Sequence, residues 1–226
     1  MTSIWPWLVL FGLGAFHGIN PGMGWLFAVC LGLQERRRKA ILAAMPPIAL
    51  GHALSVGLIV GLVAVLRTNL QPRVLKYSAA AILILYGLFR IVRARHPRWV
   101  GMRVGFGDLT LWSFLMASAH GAGLMLIPVF LATTSSDPHA AMSHDHASGS
   151  HASHFPLIAG PGLLTVAVVV HTLGHLLVAG LVALLVYEKL GLAILKTAWF
   201  NIDFTWALAL IATGAILAFV NLVVGH

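Results

Sequence analysis

Charge is what this chain has least of. Asp, Glu, Lys and Arg make up 9% of its 226 residues, against about 25% in soluble domains, so a water-soluble globule is excluded. Cysteine is almost absent. The single Cys30 rules out an internal disulfide and any Cys-x-x-Cys redox pair. Acids are scarce too, six in all, and none follows a histidine in the His-Glu-x-x-His order of a zinc protease. Nothing basic precedes the first apolar stretch, which also runs on too far for a signal peptide, so the first helix is read as retained. What remains is 59% hydrophobic with a mean hydropathy of +0.93. These numbers define an all-α integral membrane protein whose core is helices packed in lipid.

A membrane span needs roughly 20 mainly apolar residues. Six segments qualify, at about 4–33, 40–66, 74–93, 108–133, 160–187 and 197–224. The formal charge of +8 falls mostly between them. The connections after the first, third and fifth spans hold four, five and two basic residues: Arg36 to Lys39, Arg90 to Arg103, and Lys189 with Lys196. The other side receives only Arg67, Arg73 and Lys76. The positive-inside rule therefore puts both termini outside the cytoplasm, in a bacterial inner membrane. The basic balance is a topology signal, and nucleic acid is not expected as a partner. Residues 134–159 form an external loop with His139, His144, His146, His151 and His154 among Ser, Ala, Gly and Asp. That composition cannot build a packed core and reads as disordered.

The two halves, 1–104 and 105–226, resemble each other. His52-Ala-Leu opens a run ending Gly61-Leu-Val-Ala-Val-Leu66. His171-Thr-Leu opens one ending Gly180-Leu-Val-Ala-Leu-Leu185, at identical offsets. Ala15-Phe-His17-Gly18 likewise resembles Ser118-Ala-His120-Gly121. Three spans per half is an odd number, so the halves run through the membrane inverted. The expected architecture is two inverted three-helix repeats with kinked first and fourth spans, a common transporter construction. The chain then divides into 1–133 (first repeat plus fourth span), the loop 134–159, and 160–226 (fifth and sixth spans).

Five histidines lie inside the spans: His17, His52, His120, His171 and His175. Ionisable side chains in lipid are costly and face the bundle interior or a water path, and imidazole is the commonest metal ligand. His171 and His175 are one helical turn apart on one face. His17-Gly-Ile-Asn-Pro21-Gly22-Met23-Gly24 couples a histidine to a helix break, because Pro21 lacks an N–H and the glycines weaken helicity. Freed carbonyls there, with Asn20 and the Met23 thioether, line a candidate substrate path. Met23 suits Cu(I) better than Ni(II) or Zn(II). His120-Gly-Ala-Gly with Pro128 gives the fourth span a looser break. Asp203, near the start of the sixth span, is a candidate cation ligand, proton acceptor or boundary residue. Gly57 and Gly61 have the small-residue spacing of a helix–helix contact, within the chain or between subunits. Trp112, Phe114, Met116, Met125 and Trp206 read most simply as lipid-facing or packing residues.

These residues resemble the nickel/cobalt transporter (NicO) branch of the LysE-like transporter superfamily. The likeness rests on His17-Gly-x-x-Pro21-Gly22-x-Gly24, Gly51-His52, His120-Gly and the pair His171/His175. It extends over the membrane part through the six-span layout. In that family the first motif reads His-Gly-x-x-Pro-Gly-His-Gly. Met23 stands here in place of the second His, which opens the substrate to copper or a different solute. A His-rich loop is common in the family. The LysE-type amino-acid exporters usually carry Pro-Gly-Pro without the His, and the paired Cys of the thiol-reductase CcdA are missing here.

The resemblance implies a transporter and not an enzyme. Its substrate is a transition-metal ion, nickel, cobalt, copper or zinc, and no organic cofactor is expected. Neutral imidazole binds metal and imidazolium does not, so proton exchange is the natural coupling. The outer loop would concentrate or receive ions. Besides lipid, metal and protons, a second copy or a neighbouring metalloenzyme is a candidate partner. Two alternatives stand beside this: an exporter of a small organic solute with His as proton carriers, and a membrane redox protein with haem held by paired His.

Overall fold

A computed structural model describes residues 4–92, 105–132, 161–190 and 195–224, without side-chain detail at 190–203 and 224. The five histidines of the 134–159 loop lie outside the described residues, as does the side chain of Asp203. Among the described residues eight α-helices run in chain order: α1 (Trp5–Ile19), α2 (Trp25–Glu35), α3 (Arg38–Asn69), α4 (Pro72–Val92), α5 (Phe106–Ala119), α6 (Ile127–Ala132), α7 (Pro161–Leu185) and α8 (Leu195–Val224). Among the described residues there is no strand.

Four helices or helix segments are long and apolar enough to cross a bilayer: Arg38–Asn69, Pro72–Val92, Pro161–Lys189 and Phe204–Val223. A fifth crossing exists if α5 and α6, bent by 50° at their junction, count as one. The expected first span is instead two short apolar helices, of 15 and 11 residues, neither of which reaches the roughly 20 residues a crossing needs. The large exposed residues are apolar along whole faces, as Leu50, Leu54, Leu58, Leu62 and Val65 are on α3. Such faces fit a lipid environment and mark a membrane protein. The helix α3 continues unbroken through Pro46 and Pro47.

Both breaks are built from their local sequence. After α1, Asn20 turns extended and its side-chain oxygen accepts the Gly22 N–H at 2.9 Å. Pro21 opens a 3₁₀ turn over Pro21–Met23, and Gly24 at φ +116° starts α2. That angle is open to glycine and strained for other residues. The Trp25 indole N–H reaches back to the Ile19 carbonyl at 3.0 Å and clamps the break shut. After α5, Gly121 at φ +68° plays the corresponding part. Leu124–Leu126 then forms a second 3₁₀ turn leading into α6.

The helices pack in crossed pairs, α1 on α7, α3 on α5, α4 on α8, with α3 also against α7. Exchanging the halves (α1 with α5, α3 with α7, α4 with α8) leaves this pattern unchanged. Small residues make each approach close. A Cβ on Gly14 would overlap the His171 carbonyl, and one on Gly174 the Phe11 carbonyl. A Cβ on Gly51 would overlap the Thr110 carbonyl. Between α4 and α8 the fit is reciprocal. Gly87 faces Ile211 and the Ala207 carbonyl, while Gly214 faces Ile84 and the Ala80 carbonyl. Those residues belong to one pattern written twice, Ala80-x-x-Leu83-Ile84-x-x-Gly87 and Ala207-x-x-Leu210-Ile211-x-x-Gly214. Among the described residues nothing lies against Gly57 or Gly61, so the spacing noted in the sequence makes no contact there. The α2–α3 turn lies at the same end as the C-terminal end of α7, tied by Arg38 to Glu188 at 3.0 Å.

Candidate intramembrane histidine site

All five span histidines are fully buried. Four of them come together. The His17 ring lies 5.1 Å from that of His171 and 5.8 Å from that of His52, centroid to centroid. His52 lies 5.3 Å from His171 and stacks flat on His175 at 4.0 Å and 5°. The helices dictate this meeting. Gly14 and Gly18 let α1 press against the α7 backbone beside His171 and His175. Gly51, next to His52, brings α3 onto α5.

Hydrogen bonds fix which nitrogen of two rings carries hydrogen. His17 Nδ1 lies 2.7 Å from the Leu13 carbonyl and His171 Nδ1 lies 3.1 Å from the Leu10 carbonyl. A carbonyl only accepts, so both rings are Nδ1–H tautomers with the lone pair on Nε2. Both Nε2 atoms are buried without a partner, and so are both ring nitrogens of His52 and of His175. The Met23 backbone lies beside His175 without a hydrogen bond of good geometry. Six imidazole nitrogens are thus left over in one place. A buried unpaired polar group costs about 1–3 kcal/mol, and such groups point to water, an ion or a proton that completes them. A ring that donates Nδ1–H to a carbonyl and offers Nε2 is also the usual state of a metal-binding histidine. As the rings stand, no three His, Cys, Asp or Glu side chains among the described residues converge on a point as metal ligands would.

The fifth histidine stands apart. His120 Nδ1 donates to the Met116 carbonyl at 2.8 Å, and its Nε2 accepts from Arg90 Nη2 at 3.3 Å. The backbone around it is held by Tyr86, whose hydroxyl donates to the Ala119 carbonyl, and by Trp206, whose indole N–H donates to the His120 carbonyl at 2.8 Å. Trp206 is near both groups. It meets the His17 ring edge-on at 4.6 Å, stacks on Phe16 at 4.4 Å, and lies 6.3 Å from His120.

The expected substrate path by the first break is mostly occupied by its own hydrogen bonds. The carbonyls of His17, Asn20, Pro21 and Gly24 each accept a backbone N–H, and that of Ile19 accepts from Trp25. The Asn20 oxygen is committed to Gly22, leaving a buried, unpartnered Nδ2, a donor that cannot ligate a cation. Met23 is fully buried.

Sequence reading passed over three residues of this region. Trp206 reads as packing, Arg90 as a topology charge, and Tyr86 is not singled out at all. The signal for Arg90 is its place in the last turn of an apolar helix, one turn after Tyr86. Trp206 carries no such signal, because its role comes from α8 crossing the other helices. Comparison of the chain with protein-family models, curated proteins and solved structures returns no match in any of the three.

Proposed function

We propose that this protein is a transition-metal transporter of the inner membrane, with the four clustered histidines as its intramembrane cation site. The six unpartnered ring nitrogens of His17, His52, His171 and His175 carry this reading. A buried set of lone pairs, with no buried carboxylate among the described residues, suits a cation passing through, bound by neutral donors and released when they protonate. Rotation of the stacked His52 and His175 rings would turn their nitrogens toward those of His17 and His171. In this reading α1 and α2 act together as one span and α5 with α6 as another. That gives six spans in two inverted repeats, with both termini and the His-rich loop outside the cytoplasm. The resemblance to the nickel/cobalt transporter family, with Met23 at the position of its second motif histidine, leaves copper and zinc beside nickel and cobalt.

The deciding experiment is elemental analysis and metal uptake in vesicles with purified protein and His171→Ala. Wild type is expected to hold one metal per chain and transport it. The variant should lose both while remaining folded and monodisperse in detergent. Normal transport by His171→Ala defeats the assignment.

One observation favours a second reading. The His52 and His175 rings stack face to face, so their in-plane nitrogens do not converge on one ion, which suits separate proton carriers more directly than joint coordination. In that case the chain exports an organic solute against a proton gradient. It would then bind no metal, and His52→Ala would abolish proton-driven flux.

A further inference from the structure

We propose that His120 is a second cation position, separate from the four-histidine cluster, and that the Arg90 guanidinium is its built-in occupant. This rests on the reading of the protein as a cation transporter. The Nδ1 of His120 faces the Met116 carbonyl at 2.8 Å and so carries the hydrogen. Guanidinium has only donors, so at 3.3 Å Arg90 Nη2 donates to the Nε2 lone pair. That lone pair is the atom a metal ion would take, and a positive charge already sits on it. Arg90 is nine-tenths buried, only 9% exposed, on an apolar helix, a placement that is costly unless it serves a purpose.

The surroundings hold the ring for this contact. Tyr86 and Trp206 bind the Ala119 and His120 carbonyls, and Gly121 turns the chain away directly after them. His17 has the corresponding place in the first half. It makes the same Nδ1–H bond to the carbonyl four residues earlier, and its Nε2 has no partner. Arg90 therefore acts as a tethered cation. The second position takes cargo only when the guanidinium withdraws, so that a mobile ion and a fixed charge alternate on one nitrogen. Trp206 lies against both positions, 4.6 Å from the His17 ring and 6.3 Å from that of His120.

The test is Co(II) titration of the full-length protein in detergent, followed by its imidazole-dependent visible absorption. The variants are Arg90→Met, which keeps the length and removes the charge, Arg90→Lys, and Arg90→Met with His120→Ala. Wild type should bind one equivalent. Arg90→Met should bind a second equivalent, at least about tenfold more tightly than wild type takes any second ion, because the ion no longer competes with a charged hydrogen bond. Adding His120→Ala should return the stoichiometry to one. Arg90→Lys should stay near wild type if charge is what matters. A folded Arg90→Met protein with unchanged stoichiometry and affinity overturns the proposal and leaves Arg90 a structural donor, with the four-histidine site intact. Wild type that binds no Co(II), Ni(II), Zn(II) or Cu(I) overturns the cation-transporter reading and this proposal with it. If Arg90→Met fails to fold, Arg90→Gln is measured by the same criteria.

Discussion

In each half of the chain a histidine sits at a helix break and gives its Nδ1–H to the carbonyl four residues earlier, His17 to Leu13 and His120 to Met116. The local device is the same, yet Nε2 is unpartnered at His17 and takes a guanidinium at His120. Neither break decides this. In the register that pairs Gly87 with Gly214, the position of Arg90 on α4 corresponds to Leu217 on α8. A single charged residue on a neighbouring helix therefore gives two similar histidines different chemistry. The breaks differ also in tightness. Asn20, Pro21 and Trp25 close the first with three local interactions, whereas α5 and α6 meet at a 50° bend.

The comparison can be broken most severely at the helix crossings. Gly174→Ala and Gly51→Ala each set a Cβ into a backbone carbonyl of the facing helix. Overpacking costs about 1–3 kcal/mol and more against rigid backbone, so both should lose most folded protein in a detergent melting assay. Gly57→Ala, with open space around it, should melt at or slightly above the wild-type temperature, since alanine is the better helix former. If Gly174→Ala melts normally, the α1–α7 contact is not as close as described.

Trp206 offers the next largest effect. Trp206→Ala leaves a cavity between His17 and His120 and should cost about 3–5 kcal/mol. Trp206→Phe keeps a ring against Phe16 but strands the His120 carbonyl, at about 1–3 kcal/mol. Chemical denaturation in mixed micelles distinguishes them. Equal losses from both would show that the N–H, and not the ring, matters.

The smallest effect sharpens the relation between halves. Ser55 and Ser118 share a hydrogen bond of 2.9 Å across α3 and α5. At the corresponding place Gly174 faces Ala15 across α1 and α7. Ser55→Ala or Ser118→Ala should cost about 1 kcal/mol, and the double variant little more than either alone, because no unpaired hydroxyl is left behind. A double variant that loses the sum of both would place other partners on these hydroxyls.

Much of the architecture was legible without coordinates. The apolar stretches announced the membrane helices, and Pro21, Gly22 and Gly24 announced the first break. The equal spacing from His52 and His171 gave both the same place in the two halves of the chain. Proline and glycine were expected to free carbonyls for a substrate; those of His17, Ile19, Asn20, Pro21 and Gly24 accept hydrogen bonds from the chain itself. The spacing of Gly57 and Gly61 defines a stripe but not the neighbour it meets, and among the described residues none lies against it.

The sequence by itself determined the helical, lipid-facing character of this protein, the positions of its breaks and the burial of five histidines. Each follows from composition or from backbone preferences acting over a few residues. It took the tertiary structure to bring four of those histidines together and to hold the fifth with Arg90 and Trp206. That outcome depends on how α3, α4, α7 and α8 cross, and crossing is set by side chains far apart in the chain fitting one another at van der Waals distance. No local pattern encodes it.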